Sequence, residues 1–239
     1  MKLFKSELLK LKNTSIFTLA LCIPTLSILI GIKFFGVIKK NAPNLTPWEG
    51  LYSGSATFFI GILLPMFIIY ATVTMGKIEN TNNCWKQVLC MPIKKIDLYI
   101  TKYLVLISLL VICLVSYLVQ YGVVAYTLGA TGFIPKDIFI NTTYVFLAAQ
   151  PFIALLFFLS NRFNSISIPL VIGMLFTLSS LMIVQSKYWI YAPWTYAMGI
   201  CAEGLNFTKE IFPLLTVSLV LFLIIFSFDI ISFNKKDII

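Results

Sequence analysis

The sequence predicts an all-α integral membrane protein: an N-terminal interfacial helix followed by six transmembrane helices, with both termini on the cytoplasmic side. Three observations predict it. The 239 residues are 59% hydrophobic and 11% charged, against roughly 25% charged in an average soluble domain, which is too little to cover a water-exposed surface. The apolar residues gather into six runs of about 20 residues, the length that crosses a hydrocarbon core of about 30 Å at a rise of 1.5 Å per residue. Twelve of the 18 Lys and Arg residues fall on the side that holds the N-terminus and six on or near the other, and positive residues in short loops are retained in the cytoplasm.

Taken in order, residues 1–14 contain "KLFKSELLKLKNTS", in which Phe4, Leu8 and Leu11 recur at i, i+4 and i+7 among lysines. That spacing predicts an interfacial helix, and it also serves as a positive-inside anchor. The runs at 15–38, 54–75, 103–128, 138–159, 166–185 and 211–233 are the six predicted spans. The first is too long for a signal-peptide h-region and lacks an A-x-A site, so it is read as a span. The chain is read as a single transmembrane domain, 1–239. Spans one and two lie in 15–76, a polar inner loop in 77–102, spans three to five in 103–185, an outer loop in 186–210, span six in 211–233 and a cytoplasmic tail in 234–239.

The inner loop reads "KIENTNNCWKQVLCMPIKKIDLYITK". Asn82 and Asn83 are suited to capping a helix in which Trp85, Val88 and Leu89 share a face. Pro92 ends that helix, because proline lacks an N–H and disfavours a helical residue before it. A second amphipathic run, with Ile96, Tyr99, Ile100 and Tyr103 on one side, leads along the membrane surface into span three.

Several chemistries are excluded. There is no histidine, which removes HExxH metalloproteases, His-ligated metals and any Ser-His or Cys-His pair. No catalytic or metal site is expected. The five cysteines show no C-x-x-C spacing and read as apolar filler. No G-x-x-x-x-G-K-[ST] loop is present, so any ATP must be brought by another chain. The net charge of +9 reflects topology and anionic lipid, and no nucleic-acid partner is needed to explain it. Asp229, near the inner end of span six, reads as a structural carboxylate or a functional one; Gln120 and Gln150 are placed to bond between helices. Pro24, Pro65, Pro151, Pro169 and Pro213 fall within or beside five different spans, which they loosen or bend.

These residues carry a resemblance. An interfacial helix, six spans and an inner loop reading Glu79, Trp85-Lys86, Pro92 and Lys102 resemble the permease subunit of type-2 ABC exporters, with its "E…W-K-x-x-L…P…K" pattern. "ELLKLKNTSIFTLALCIP", Trp48 before span two, "ENTNNCWKQVL" and the ending "FNKKDII" further resemble permeases that protect Gram-positive bacteria from lantibiotics. The resemblance implies a bacterial cell-membrane dimer, homomeric or paired with a similar chain, driven by two cytoplasmic ATP-binding subunits that hold ATP and Mg2+. It implies that Glu79, Trp85, Lys86, Val88, Leu89 and Pro92 form the ATPase-coupling part, with Lys102 supporting the loop by pairing with Glu79. Trp85 also suits a membrane-interface belt, although the resemblance favours docking. In the outer loop, Tyr188, Trp189, Tyr191, Trp194 and Tyr196 form either an aromatic belt or, by the resemblance, an outer gate.

The function so implied is ATP-driven expulsion of an amphipathic antimicrobial peptide, a lantibiotic, drawn from the membrane lipid. One alternative is export of another hydrophobic compound or of the cell's own toxin. Another is a non-transporting membrane sensor or assembly partner.

Overall fold

Within a bilayer every backbone polar group must be satisfied by the chain itself, and among the described residues the ordered elements are all helical. The structure, a computed structural model, describes residues 2–41, 45–80, 94–163, 165–202 and 211–235. Helix α1 spans Lys2–Leu11 and α2 spans Ile16–Asn41. Span two comprises α3, Pro47–Phe58, a π-helical turn at Phe59–Leu63, and α4, Leu64–Asn80. Helix α5 spans Lys95–Thr127, α6 Lys136–Ala148, α7 Gln150–Arg162 and α8 Ser167–Ile183. A 3-10 turn at Trp189–Tyr191 precedes α9, Tyr196–Ala202, and α10 covers Ile211–Lys235.

Among the described residues, five stretches are long and apolar enough to cross a membrane: Ile16–Lys40, Pro47–Ile78, Lys95–Thr127, Lys136–Arg162 and Ile211–Phe233. The predicted fifth span corresponds to α8, an apolar helix of 17 residues, about 25 Å at the α-helical rise. Span two begins at Pro47, ahead of the run at 54–75, because a capping box starts it there. The Thr46 hydroxyl accepts from the Glu49 N–H while the Glu49 carboxylate accepts from the Thr46 N–H, and Pro47 occupies the first turn. The second amphipathic run of the inner loop forms the first turns of α5 and continues as one helix into span three.

The prolines account for the interruptions. Pro65 lacks the N–H that would bond the Gly61 carbonyl; the preceding turn widens, and the Leu64 N–H bonds the Phe59 carbonyl five residues back. Pro151 leaves the Leu147 carbonyl without its helical donor, and the Ser218 hydroxyl of α10 donates to it at 3.3 Å. The span breaks there, between α6 and α7. Pro169 and Pro213 sit in first turns, where a missing N–H is harmless.

Packing follows small residues and rings. Gly31 of α2 lies so close to α3 that an added Cβ would meet the Ser55 Cβ at 2.7 Å, the close approach that glycine permits in membrane helices. Gln120 of α5 donates to the Leu21 carbonyl at 3.0 Å and accepts from Thr25 at 2.9 Å, tying α5 to α2. Helix α4 lies against both α7 and α8, and α10 against α7. The bundle therefore has two distinct ends. One gathers α1 with the ends of α4, α7 and α10 and the start of α5; the other gathers the start of α3, the end of α5, α9 and the start of α10.

Candidate functional site

The α1 end holds what remains visible of the predicted coupling region. Trp85, Lys86, Val88, Leu89 and Pro92 lie outside the described residues, as does the Glu79 side chain, whose backbone closes α4. Lys102 is described, and it is 3% exposed. Its Nζ donates to Glu7 Oε2 of α1 at 2.9 Å, while Lys10 Nζ donates to Glu7 Oε1 at 2.7 Å. The Glu7 carboxylate, itself 4% exposed, is thus held between two cations. A small cavity beside it is bordered by Leu11 of α1, and by Met75 and Ile78 of α4. Helix α1 therefore packs on α5 and shares a cavity with α4, the two helices between which residues 81–93 run.

Glu7 was not singled out in the sequence, yet its signal is there. It lies i+3 from Phe4 and i−4 from Leu11, on the face that the apolar residues define. A lone acid on the buried stripe of a lysine-rich helix requires a buried partner.

One turn earlier on α5, the Tyr99 hydroxyl donates to Asp229 Oδ2 of α10 at 2.6 Å. Tyr99 packs its ring against Phe157, Phe226 and Phe233. Tyr103, one turn on, donates to Gln150 Oε1 at 3.1 Å. Asp229 and Gln150 are both buried, so the start of α5 is the strut to which α1, α7 and α10 are fastened.

Between the α1–α2 junction, α4 and α8 lies an open groove of about 640 Å³. Met66, Ile69, Val73, Leu170 and Met174 form its apolar walls, and Asn13, Thr14, Ser15 and Lys77 supply polar groups along it. A Ser15–Tyr70 hydrogen bond of 2.7 Å crosses its edge. Such a surface matches a ligand that is itself apolar on one side and polar on the other.

At the opposite end the five aromatic residues of the predicted outer loop divide. Tyr196 is fully buried and donates to the Ile190 carbonyl at 2.7 Å, and burial pushes its phenol above the ordinary tyrosine range. Trp194 stacks on Phe176 of α8 with centroids 4.1 Å apart and planes at 9°, and its Nε1 donates to Ser179 at 3.1 Å. Trp189 is half-buried beside a shallow cleft of about 240 Å³ shared with Pro213 and Val217. Tyr188 and Tyr191 are 72% and 82% exposed. The first three build a cap; the last two stand outside it. Helix α9 of that cap rests on the π-helical turn, where a Cβ at Gly61 would lie 2.8 Å from the Met198 sulfur.

A second aromatic column, not singled out in the sequence beyond Trp48, stands beside the cap. Trp48 donates to the Thr131 carbonyl at 3.2 Å and its own carbonyl accepts from Tyr121 at 2.6 Å. Phe59 stacks on Tyr117 at 4.2 Å and 5°. Among the described residues no group of three His, Cys, Asp or Glu side chains could hold a metal ion.

The family described as "ABC-2 family transporter protein" matches residues 3–180, about three quarters of the chain, from α1 into α8. No curated protein matches it.

Proposed function

The chain belongs to the ABC-2 transporter family, and on that premise we propose that it expels an amphipathic antimicrobial peptide, a lantibiotic, from the membrane lipid and so protects the cell. As a member of that family it is a multi-pass membrane permease, the transmembrane subunit of an ABC exporter, and it works with ABC ATP-binding subunits. In the proposed assembly those subunits bind ATP and Mg2+, and a second permease chain, identical or similar, completes the path.

The groove of about 640 Å³ between α4 and α8 carries the substrate reading. Its walls are apolar side chains of α4 and α8, and Asn13, Thr14, Ser15 and Lys77 set polar groups at the α1 end. A sugar or an inorganic ion would find few partners there, whereas an amphipathic peptide or lipid-like molecule would bury its apolar face and keep its polar one solvated.

Charge supports the orientation. Among the described residues, Lys2, Lys5, Lys10, Lys12, Lys77, Lys94, Lys95, Lys102, Arg162 and Lys235 belong to the α1 end, against Lys33, Lys39, Lys40, Lys136 and Lys187 in the other half. Positive residues are retained inside, so the α1 end and both termini face the cytoplasm in this reading, and the segment around Trp85 faces the ATP-binding subunits. ATP-driven closure of those subunits then moves the loop between α4 and α5, and the cap built on Trp189, Trp194 and Tyr196 opens at the outer side.

The test is to express the chain with its ATP-binding subunits in a susceptible bacterium and measure growth inhibition by a panel of lantibiotics. Protection against at least one, dependent on ATP hydrolysis, is expected. Protection only against small hydrophobic compounds would replace the peptide with that class, and failure to associate with any ATP-binding subunit would defeat the exporter reading.

A further inference from the structure

We propose that Glu7 is a positioning residue for coupling: it locks α1 to the start of α5, so that α1 and the two helix ends flanking residues 81–93 move as one body when the ATP-binding subunits close. The inference rests on the exporter reading above, and adds to it a part for a helix otherwise explained as a membrane anchor.

Three observations carry it. Glu7 uses both carboxylate oxygens, one on Lys102 of α5 and one on Lys10 of its own helix. Both members of the α1–α5 pair are almost wholly buried. An anchor resting on the membrane surface needs neither a buried acid nor a cation on a neighbouring span. The pair is also poorly explained as a stabiliser, because desolvating two charges offsets much of their attraction and an apolar pair of similar volume generally serves stability as well or better. What a buried charge-assisted hydrogen bond adds is direction: it is satisfied in one register and broken by a small slide, whereas apolar side chains tolerate sliding. Finally, Leu11 of α1 borders the same small cavity as Met75 and Ile78 of α4, so the clamp stands beside the end of α4 as well as on the start of α5.

The prediction concerns relative motion. In the full complex, with the native cysteines replaced, spin labels are placed at the exposed positions Leu9 on α1, Ile100 on α5 and Ile168 on α8. Distances are measured by pulsed electron resonance without nucleotide and after trapping the ATP-bound state. The Leu9–Ile100 distance is expected to stay narrow and unchanged while the Leu9–Ile168 distance shifts. In the double variant Glu7→Leu/Lys102→Met, which replaces both members of the buried α1–α5 pair with apolar side chains of similar length, the Leu9–Ile100 distribution broadens and ATP hydrolysis continues without peptide protection, at unchanged complex abundance. A Leu9–Ile100 distance that changes as much as Leu9–Ile168, two distances that both stay fixed, or a double variant with a narrow distribution and full protection would each overturn the clamp. A wild-type complex that gives no protection defeats the peptide reading instead.

Discussion

At the α1 end the helices are fastened by bonds to ionised groups, Glu7 between Lys102 and Lys10 and Tyr99 on Asp229, whereas at the opposite end stacked rings, Trp194 on Phe176 and Phe59 on Tyr117, close the structure together with neutral hydrogen bonds such as Tyr121 to the Trp48 carbonyl. The two kinds of contact respond differently to displacement. A charge-assisted hydrogen bond weakens steeply once its geometry is lost, while a stacked ring pair, worth about 0.5–1.5 kcal/mol, loses less when it parts. An end that must receive a push without deforming suits the first. An end that must part and reclose suits the second.

The contrast can be broken most forcefully at the charged end. Glu7→Ala removes the buried acid that Lys102 and Lys10 share, and breaking a buried pair destabilises by up to about 3–5 kcal/mol. The expected outcome is a large fall in the permease recovered from membranes and in its unfolding midpoint in detergent. Trp85→Ala should act next and elsewhere: truncating an aromatic anchor weakens docking of the ATP-binding subunits by about 2 kcal/mol or more, roughly 30-fold in affinity, with the fold of the permease unchanged. Co-purification at graded subunit concentrations reads this directly.

Tyr99→Phe removes the hydroxyl that donates to Asp229 and should lower stability by about 1.5–3 kcal/mol, the range for hydrogen bonds to charged groups. At the ringed end, Trp194→Leu keeps apolar bulk but loses the stack on Phe176, worth about 0.5–1.5 kcal/mol. Here the informative readout is functional: ATP hydrolysis continues while peptide protection falls. Smallest of all, Tyr191→Ser at a position 82% exposed should stay within about 0.5 kcal/mol. A loss of protection from that change without a loss of stability would move Tyr191 from the bystanders into the cap.

Much of this was legible in the sequence because bilayer crossing imposes length and hydropathy. The runs at 15–38, 103–128, 138–159 and 211–233 each correspond to one of the stretches long and apolar enough to span. Gln120 and Gln150 bond between helices as their depth suggested. The start of span two was less legible, since Gly50, Ser53 and Gly54 dilute its hydropathy while the Thr46–Glu49 cap and Pro47 decide where the helix begins. Glu7 was missed because the apolar positions of α1 drew attention to Phe4, Leu8 and Leu11, although its place on the same stripe marked it. The division among the outer aromatic residues could not be read from composition: Tyr191 and Tyr196 are the same residue type five positions apart, and only the turn between them buries one and exposes the other. Trp85 and its neighbours lie outside the described residues, so their role rests on the sequence pattern and the family.

The π-helical turn at Phe59–Leu63 acts on span two as a phase shift. In an unbroken α-helix, Trp48, Tyr52, Ser55 and Phe59 would fall on the same stripe as Met66, Tyr70, Val73 and Lys77, because each step of three or four residues nearly completes a turn. The extra residue of the π-turn rotates everything after it by about 100°. The ring-bearing stripe of α3 can therefore face α5 while the corresponding stripe of α4 opens onto the groove beside α8. One additional amino acid, placed ahead of Pro65, lets a single span be wall to the cap and wall to the groove at once.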